Sequence, residues 1–127
     1  MFLKKSDMLL SSMTVHTWNQ IPLEEVTPYF YRRVVHTAGM TIAVLSLKKG
    51  GKVALHQHVN EQVSMVESGR IAFFFGDRRI ELGPGETLEI PPNVPHSAEV
   101  LEDCEVTDLF TPRREDWLSG DDSYLRK

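Results

Sequence analysis

The sequence is poor in cysteine, in basic residues and in long apolar runs, and each shortage excludes a class of protein. Cys104 is the single cysteine among 127 residues, so no intrachain disulfide can form and a reducing, cytoplasmic setting is expected. Lysine and arginine number 14 against 18 aspartates and glutamates, and the net charge of −4 argues against a nucleic-acid partner. No apolar run reaches the roughly 18 residues of a membrane helix. Asp7 interrupts the apolar start, so neither a signal peptide nor a membrane partner is expected.

The composition is typical of one globular domain with many turns. Hydrophobic residues make up 41% of the chain and charged residues 25%. Seven prolines and eight glycines divide the sequence into short segments, which favours strands over long helices. We predict a flexible arm over residues 1–15 and one domain over residues 16–127. The apolar Leu9, Leu10 and Met13 of the arm suit pairing with a second copy, so a homodimer is expected.

The middle of the chain has the pattern of an antiparallel all-β fold, a sandwich or barrel of hairpin-linked strands. Short apolar or alternating segments are separated there by turn residues. The predicted strands are Tyr29–His36, Thr41–Leu47, Lys52–His58, Gln62–Glu67, Arg70–Phe75, Arg79–Leu82, Thr87–Ile90, Ser97–Val100 and Glu105–Phe110. Residues 112–118 predict a short helix with Trp117 packed on the outside. The residues after Ser119 predict a frayed, polar end. Cys104 alternates with Val106 in an apolar strand, so it is expected to be buried and unreactive.

Two histidines separated by one residue are the strongest chemical signal in the sequence. In an extended strand, His56 and His58 point to the same face. A third histidine, His96, follows a proline-rich turn, and Gln62 is a nearby oxygen donor. Neutral imidazole is the commonest protein ligand of metals, so these four residues predict a divalent metal site. The competing explanation is that the histidines only fill a polar interior. His16 and His36 match no pattern and are expected to be structural or exposed.

These histidines lie in two spaced motifs that resemble those of the cupin superfamily. The motifs are Gly50-(five residues)-His56-x-His58-(three residues)-Gln62-(six residues)-Gly69 and Gly85-(five residues)-Pro91-x-Asn93-(two residues)-His96. The family usually has glutamate where this chain has Gln62, and glycine where it has Asn93, although asparagine also tolerates positive φ. The resemblance implies a single-domain cupin β-barrel, a double-stranded β-helix or jelly roll. It also implies one divalent transition metal (Zn, Ni, Fe or Mn) bound by His56, His58, Gln62 and His96.

The glutamine changes the chemistry expected of that site. Because Gln62 is a neutral oxygen donor, a metal held by three histidines and one glutamine keeps its full positive charge. Such a metal is a stronger Lewis acid, and it is bound less tightly than with a glutamate ligand. Glu61 is the rival carboxylate ligand, but strand alternation turns it away from the face of Gln62.

A second group of polar residues follows the last predicted strand. Asp108 and Phe110 share a strand face, and a carboxyl group on an apolar inward face is expected to have a raised pKa and to shuttle protons. Arg114 or Arg113 could bind a substrate carboxylate in bidentate fashion. The competing explanation is structural: Asp108 caps a turn, Phe110 is core, and residues 114–116 begin a solvated helix.

The run Asp108-x-Phe110-x-Pro112-x-Arg114-Glu115-Asp116, placed after the two motifs, resembles the KdgF-like cupins of pectin degradation. Those proteins convert 4,5-unsaturated monouronates to linear 5-keto-4-deoxyuronates. The resemblance implies a carboxylated-sugar substrate, with Asp108 as catalytic residue, Phe110 as the aromatic wall and Arg114 as the carboxylate ligand. This ring opening needs no redox change, which favours zinc or nickel. Two other functions stay open: an Fe-dependent dioxygenase, and a non-catalytic cupin that binds a sugar or effector.

Overall fold

In the part of the chain that the structure describes, eight antiparallel strands build the fold and almost no helix accompanies them. The computed structural model describes residues 13–126. The strands are β1 (Glu24–Thr27), β2 (Phe30–His36), β3 (Thr41–Leu47), β4 (Lys52–His56), β5 (Glu61–Phe75), β6 (Arg78–Leu82), β7 (Thr87–Ile90) and β8 (His96–Thr111). Helix α1 (Glu115–Leu118) and 3₁₀ helices at Trp18–Gln20 and Ser123–Arg126 complete the described chain.

Strands β5 and β8 form the centre of the sheet. They pair with each other along most of their length, and each changes its second neighbour halfway. The first half of β5 also pairs with β7 and its second half with β6. The first half of β8 pairs with β4 and its second half with β3. Because β5 and β8 each pair with one strand along their first half and another along their second half, the sheet curves into a jelly-roll barrel. This confirms the predicted all-β cupin architecture.

The two long strands were each predicted as two shorter ones, and that prediction is wrong. The expected turn at Ser68–Gly69 is an irregular stretch in the pairing of β5 with β8, and the strand continues through it. Gly69 has φ +79°, so the backbone bends there without reversing direction. Strand β1 was not predicted, and β4 ends at His56, two residues before the expected end.

Inward-facing side chains change from polar to apolar along the barrel. In the register of β3, β8 and β5, Thr41 and Gln62 flank Phe110, and the next row places Ala43 and Ser64 beside Asp108. The rows that follow are apolar and join one core. That core includes Phe30, Leu45, Leu47, Val66, Ile71, Phe73, Val100, Cys104 and Val106. Burial raises the pKa of Cys104 to about 12, which confirms that it is a buried, unreactive thiol.

The C-terminal residues pack against the barrel, so the prediction of a frayed end is wrong. Leu125 and Asp122 are buried, and Asp122 accepts a hydrogen bond of 2.6 Å from Nη2 of Arg32. Arg126 donates to Glu24 at 2.8 Å. Trp117 does not lie on the outside: its ring packs 5.2 Å from that of Phe110. This segment, which looks polar in sequence, is therefore joined to the barrel by a buried apolar side chain and by ion pairs with Arg32 and Glu24.

Residues 1–12, most of the predicted arm, lie outside the described residues, and the homodimer stays a prediction. Over residues 13–126, no helix has the length and apolar character to span a bilayer.

Replacing Gly69 with alanine is expected to destabilise the fold. A Cβ at Gly69 would lie 2.1 Å from the backbone oxygen of Asp103, at a positive φ. We expect Gly69→Ala to lower the free energy of unfolding by at least about 2 kcal/mol in urea denaturation. Gly76→Ala is the matched control, because φ is also positive there but no atom lies within 4 Å of the added Cβ. Equal losses in the two variants would show that the close approach to Asp103 is unimportant.

Candidate metal centre

Three histidines from two parts of the chain meet at one end of the barrel. One nitrogen from each of His56, His58 and His96 lies within 4.8 Å of the others. His56 ends β4 and His96 begins β8, and the two are directly paired. His58 lies two residues beyond the end of β4, in a loop, so it does not reach the cluster by strand alternation within β4 as predicted. That loop is held by the N–H of Asn93, which has φ 62° and donates to the backbone oxygen of His58 at 2.8 Å.

All three imidazoles are oriented by their own local backbone. The Nδ1 atoms of His56, His58 and His96 lie 2.8, 3.0 and 2.8 Å from carbonyl oxygens two residues away along the chain. A carbonyl can only accept, so each Nδ1 carries the proton and each Nε2 keeps a free lone pair. Nε2 of His96 is buried and has no hydrogen-bond partner. Three inward lone pairs, one of them buried without a partner, suit a divalent metal ion.

The amide of Gln62 links this cluster to a carboxyl group. Its Nε2 donates to Oγ of Ser64 at 3.0 Å and faces Oδ2 of Asp108 at 3.5 Å. Its Oε1 therefore faces Nε2 of His58, 3.1 Å away. Both of these atoms are acceptors, and they repel each other unless a cation lies between them. Bonds of about 2.1 Å at right angles place neighbouring ligands about 3 Å apart, so the pair fits a shared metal.

The imidazoles are neutral at physiological pH. Burial lowers the pKa of both His56 and His58 to about 4, and it also lowers the pKa of His96. Protons therefore do not compete with a metal for these nitrogens near pH 7. The structure brings together all four predicted ligands, and Glu61 is exposed beside Gln62, as strand alternation predicted.

Asp108 lies next to this centre in an environment that favours its neutral form. Its Oδ1 is buried and has no hydrogen-bond partner. Burial raises the pKa of Asp108 to about 6, although Ser64 and Arg114 oppose the shift. This confirms the expected raised pKa. The carboxyl group can therefore hold or release a proton near neutral pH.

Arg114 reaches the same cavity, but one edge of its guanidinium is already occupied. The residue is 1% exposed, and its guanidinium carbon lies 4.7 Å from the centre of the Phe110 ring. Its Nε and Nη2 donate to the two carboxylate oxygens of Asp116 at 2.9 and 2.7 Å. A substrate carboxylate therefore cannot bind that edge in the predicted bidentate manner. Arg113 is half-exposed and pairs with Glu115, so Arg114 alone of the two lines the cavity.

A cavity of about 50 Å³ lies beside the centre and opens to solvent. Among its lining residues are His56, Gln62, His96, Asp108, Phe110 and Arg114. Sequence reasoning missed Tyr124, whose ring stacks on that of His56 with centroids 4.5 Å apart. It also missed Asn60, whose Nδ2 donates to the carbonyl oxygens of Pro112 and Arg113 at 2.5 and 3.1 Å. Asn60 could have been found from its position inside the first motif, whereas no periodic pattern in the sequence distinguishes Tyr124.

Comparison with known proteins places this geometry in a family. A family model described as a cupin domain matches residues 43–110. The structure of KdgF from Halomonas sp. is similar with a TM-score of 0.75 and 27% identity, over 82% of this chain and 99% of that one. An RmlC-like cupin from Shewanella frigidimarina has a TM-score of 0.76 and 24% identity, over 84% and 96%. An oxalate decarboxylase variant from Bacillus subtilis has a TM-score of 0.70 and 20% identity, over 79% and 30%. No curated protein matches the sequence.

Removing one histidine is expected to abolish tight metal binding. We expect the purified protein to bind one divalent ion per chain, and His96→Ala to weaken binding at least about 100-fold, because a buried ligand is lost. Competition with a chromophoric chelator measures the change. His16→Ala is the control, since His16 is exposed and outside the cluster. Unchanged affinity in His96→Ala would contradict the assignment.

The buried carboxyl group is expected to cost stability at high pH in the metal-free protein. The pKa of Asp108 rises from 3.8 to about 6 on folding, so protonation of this carboxyl group favours the folded state. That stabilisation is complete below pH 3.8 and is lost as pH rises through 6. Asp108→Asn is therefore expected to be more stable than wild type at pH 8 by up to about 3 kcal/mol, and equal to it near pH 4. Urea denaturation in chelator measures both. The exposed Asp121→Asn is the control, and a difference for Asp108→Asn that does not vary with pH would be the contrary result.

Proposed function

The chain belongs to the cupin family, and from this premise we propose that it is a metal-dependent enzyme that opens the ring of carboxylated sugars. The specific reaction is conversion of 4,5-unsaturated monouronates to linear 5-keto-4-deoxyuronates. One observation carries the proposal: the buried carboxyl group of Asp108, with an unpaired Oδ1 and a pKa raised to about 6, lies beside a centre of four neutral donors. Proton transfer next to a Lewis acid is the chemistry that this arrangement favours.

The four donors are Nε2 of His56, His58 and His96 and Oε1 of Gln62. A divalent ion bound there would supply Lewis-acid polarisation of substrate oxygens, and zinc or nickel would serve because the reaction involves no redox change. Gln62 holds its oxygen toward the histidines because its amide nitrogen is engaged by Ser64 and Asp108.

Asp108 carries out the proton transfers. In its ionised form it accepts the proton of the anomeric hydroxyl at C1, and the bond between C1 and the ring oxygen breaks, which leaves an aldehyde at C1. The released electron pair forms an enolate along C5 and C4. Asp108 returns its proton to the ring oxygen or to C4, and the keto form at C5 completes an isomerisation with no atom gained or lost. A pKa near 6 suits a group that must both accept and donate this proton.

Phe110 and Arg114 shape the rest of the pocket. Phe110 is buried, packs against His58 and Trp117, and presents an apolar wall for a sugar ring. Arg114 brings a positive charge into the cavity, and Nη1 is its only nitrogen without a hydrogen bond among the described residues. That nitrogen is suited to attract a substrate carboxylate.

Two further observations support this substrate class. The run from Asp108 to Asp116 resembles that of KdgF-like proteins, and its residues Asp108, Phe110 and Arg114 line the cavity. The similarity to KdgF from Halomonas sp. extends over 99% of that chain.

The test is consumption of a 4,5-unsaturated monouronate by the metal-loaded protein, followed by the loss of ultraviolet absorbance of the conjugated double bond. We expect Asp108→Asn to lose at least about 100-fold in kcat, because its proton transfers are removed, while it keeps its metal. Asp121→Asn, an exposed aspartate, is the matched control and is expected to retain full activity.

Three results would contradict the proposal. Full activity after chelation or in His56→Ala would exclude a metal mechanism. Dioxygen uptake that requires Fe²⁺ would indicate a dioxygenase. Thermal stabilisation by uronates without any turnover would indicate a binding protein.

A further inference from the structure

Tyr124 is a cavity residue outside both cupin motifs. It lies in the 3₁₀ helix Ser123–Arg126, and its ring is nearly parallel to that of His56, at an interplanar angle of 27°. The same cavity contains Gln62 and Asp108. Tyr124 therefore borders the same cavity that a ligand of the metal centre would enter.

The hydroxyl of Tyr124 can donate a hydrogen bond. Nη2 of Arg114 lies 2.5 Å from the hydroxyl oxygen and Nε1 of Trp117 lies 3.2 Å from it. Guanidinium and indole nitrogens are donors only, so the oxygen must accept from both. Its own proton then points elsewhere, and no acceptor for it is found among residues 13–126. A half-buried donor of this kind needs an acceptor from water or from a ligand.

Arg114, which donates to this hydroxyl, has one guanidinium nitrogen left to bind a ligand. Its Nε and Nη2 bind Asp116, and Nη2 also binds Tyr124, which leaves Nη1 free among the described residues. The guanidinium alone therefore lacks a free two-nitrogen edge for a carboxylate. The hydroxyl of Tyr124, joined directly to Nη2, supplies the missing second donor.

Tyr124 is also held firmly in place. Asp122 and Leu125 on either side of it are buried, and Asp122 pairs with Arg32. Arg126 bonds both Asp122 and Glu24. A donor anchored in this way loses little conformational freedom when it binds a ligand, so its position is preorganised.

We propose that Tyr124 is a substrate-positioning residue, whose hydroxyl and Nη1 of Arg114 together bind the carboxylate of the substrate. This inference rests on the proposed function, because it assigns the contacts of the same carboxylated sugar. The carboxylate accepts one hydrogen bond from each residue, which orients the ring toward Asp108 and the four neutral donors.

The experiment compares galacturonate with galactose, which carries a hydroxymethyl group in place of the carboxylate. Binding of each to the zinc-loaded protein is measured by calorimetry for wild type, Tyr124→Phe and Tyr31→Phe. Tyr31 is the matched control, because its hydroxyl donates to Glu25 away from the cavity. Bound zinc and the melting temperature are recorded for each variant. KM and kcat for the unsaturated uronate are measured in parallel.

We expect wild type to bind galacturonate more tightly than galactose. In Tyr124→Phe the ratio of the two affinities should fall about tenfold, because one charge-assisted hydrogen bond is removed, while the zinc content stays unchanged. KM should rise about tenfold with little change in kcat. Tyr31→Phe should resemble wild type.

The failures can be told apart. If Tyr124→Phe keeps the full preference for galacturonate over galactose, or loses the same affinity for both sugars, the inference is wrong while the proposed function stands. If wild type neither prefers galacturonate nor converts the unsaturated uronate, the proposed function fails and this inference with it.

Discussion

The long antiparallel pairing of β5 with β8 is the constraint on which the rest of the structure depends. Its register places Gln62 opposite Phe110 and Ser64 opposite Asp108, so the amide and the carboxyl group meet on the inner face. The same strand β8 begins with His96, which pairs with His56 on β4. A one-residue slip would turn all of these side chains outward. Backbone pairing therefore determines which polar groups lie in the interior. Their burial there then determines whether they are charged.

The electrostatics of the interior follow from this arrangement. Burial disfavours charge on every titratable group at the centre, so the imidazoles are neutral and the carboxyl group titrates near 6. Near pH 7 the charge of Arg114 persists, balanced by Asp116 and flanked by the rings of Phe110 and Trp117, and Asp108, with a pKa of about 6, is largely ionised. The four donors are themselves neutral, so they leave the charge of a bound cation uncompensated. In the proposed function, that condition favours polarisation of a substrate oxygen over tight retention of the ion.

Much of the fold and the centre could be predicted from the sequence, because both depend on local patterns. Segments bounded by turn residues predicted β3 and β7 with their observed bounds, and the two motifs predicted the three converging histidines with Gln62 beside them. Long strands were harder to predict, because a kink at Gly69 and a turn have the same residue signature. The C-terminal contacts were missed for another reason: Asp122 pairs with Arg32 across 90 residues, and no local pattern encodes such a partner. The occupied edge of Arg114 likewise depends on side-chain geometry that composition does not report.

The backbone carbonyls that orient the three imidazoles have an evolutionary consequence. In many metal sites a carboxylate side chain fixes the ligand histidine, and one substitution can remove it. Here the oxygens of Ala54, Asn60 and Val94 perform that task, and a carbonyl is present whatever the side chain. The residues around the centre are thus free to diverge without altering which nitrogen faces inward. A barrel of this kind can keep one centre while its walls adapt to different ligands.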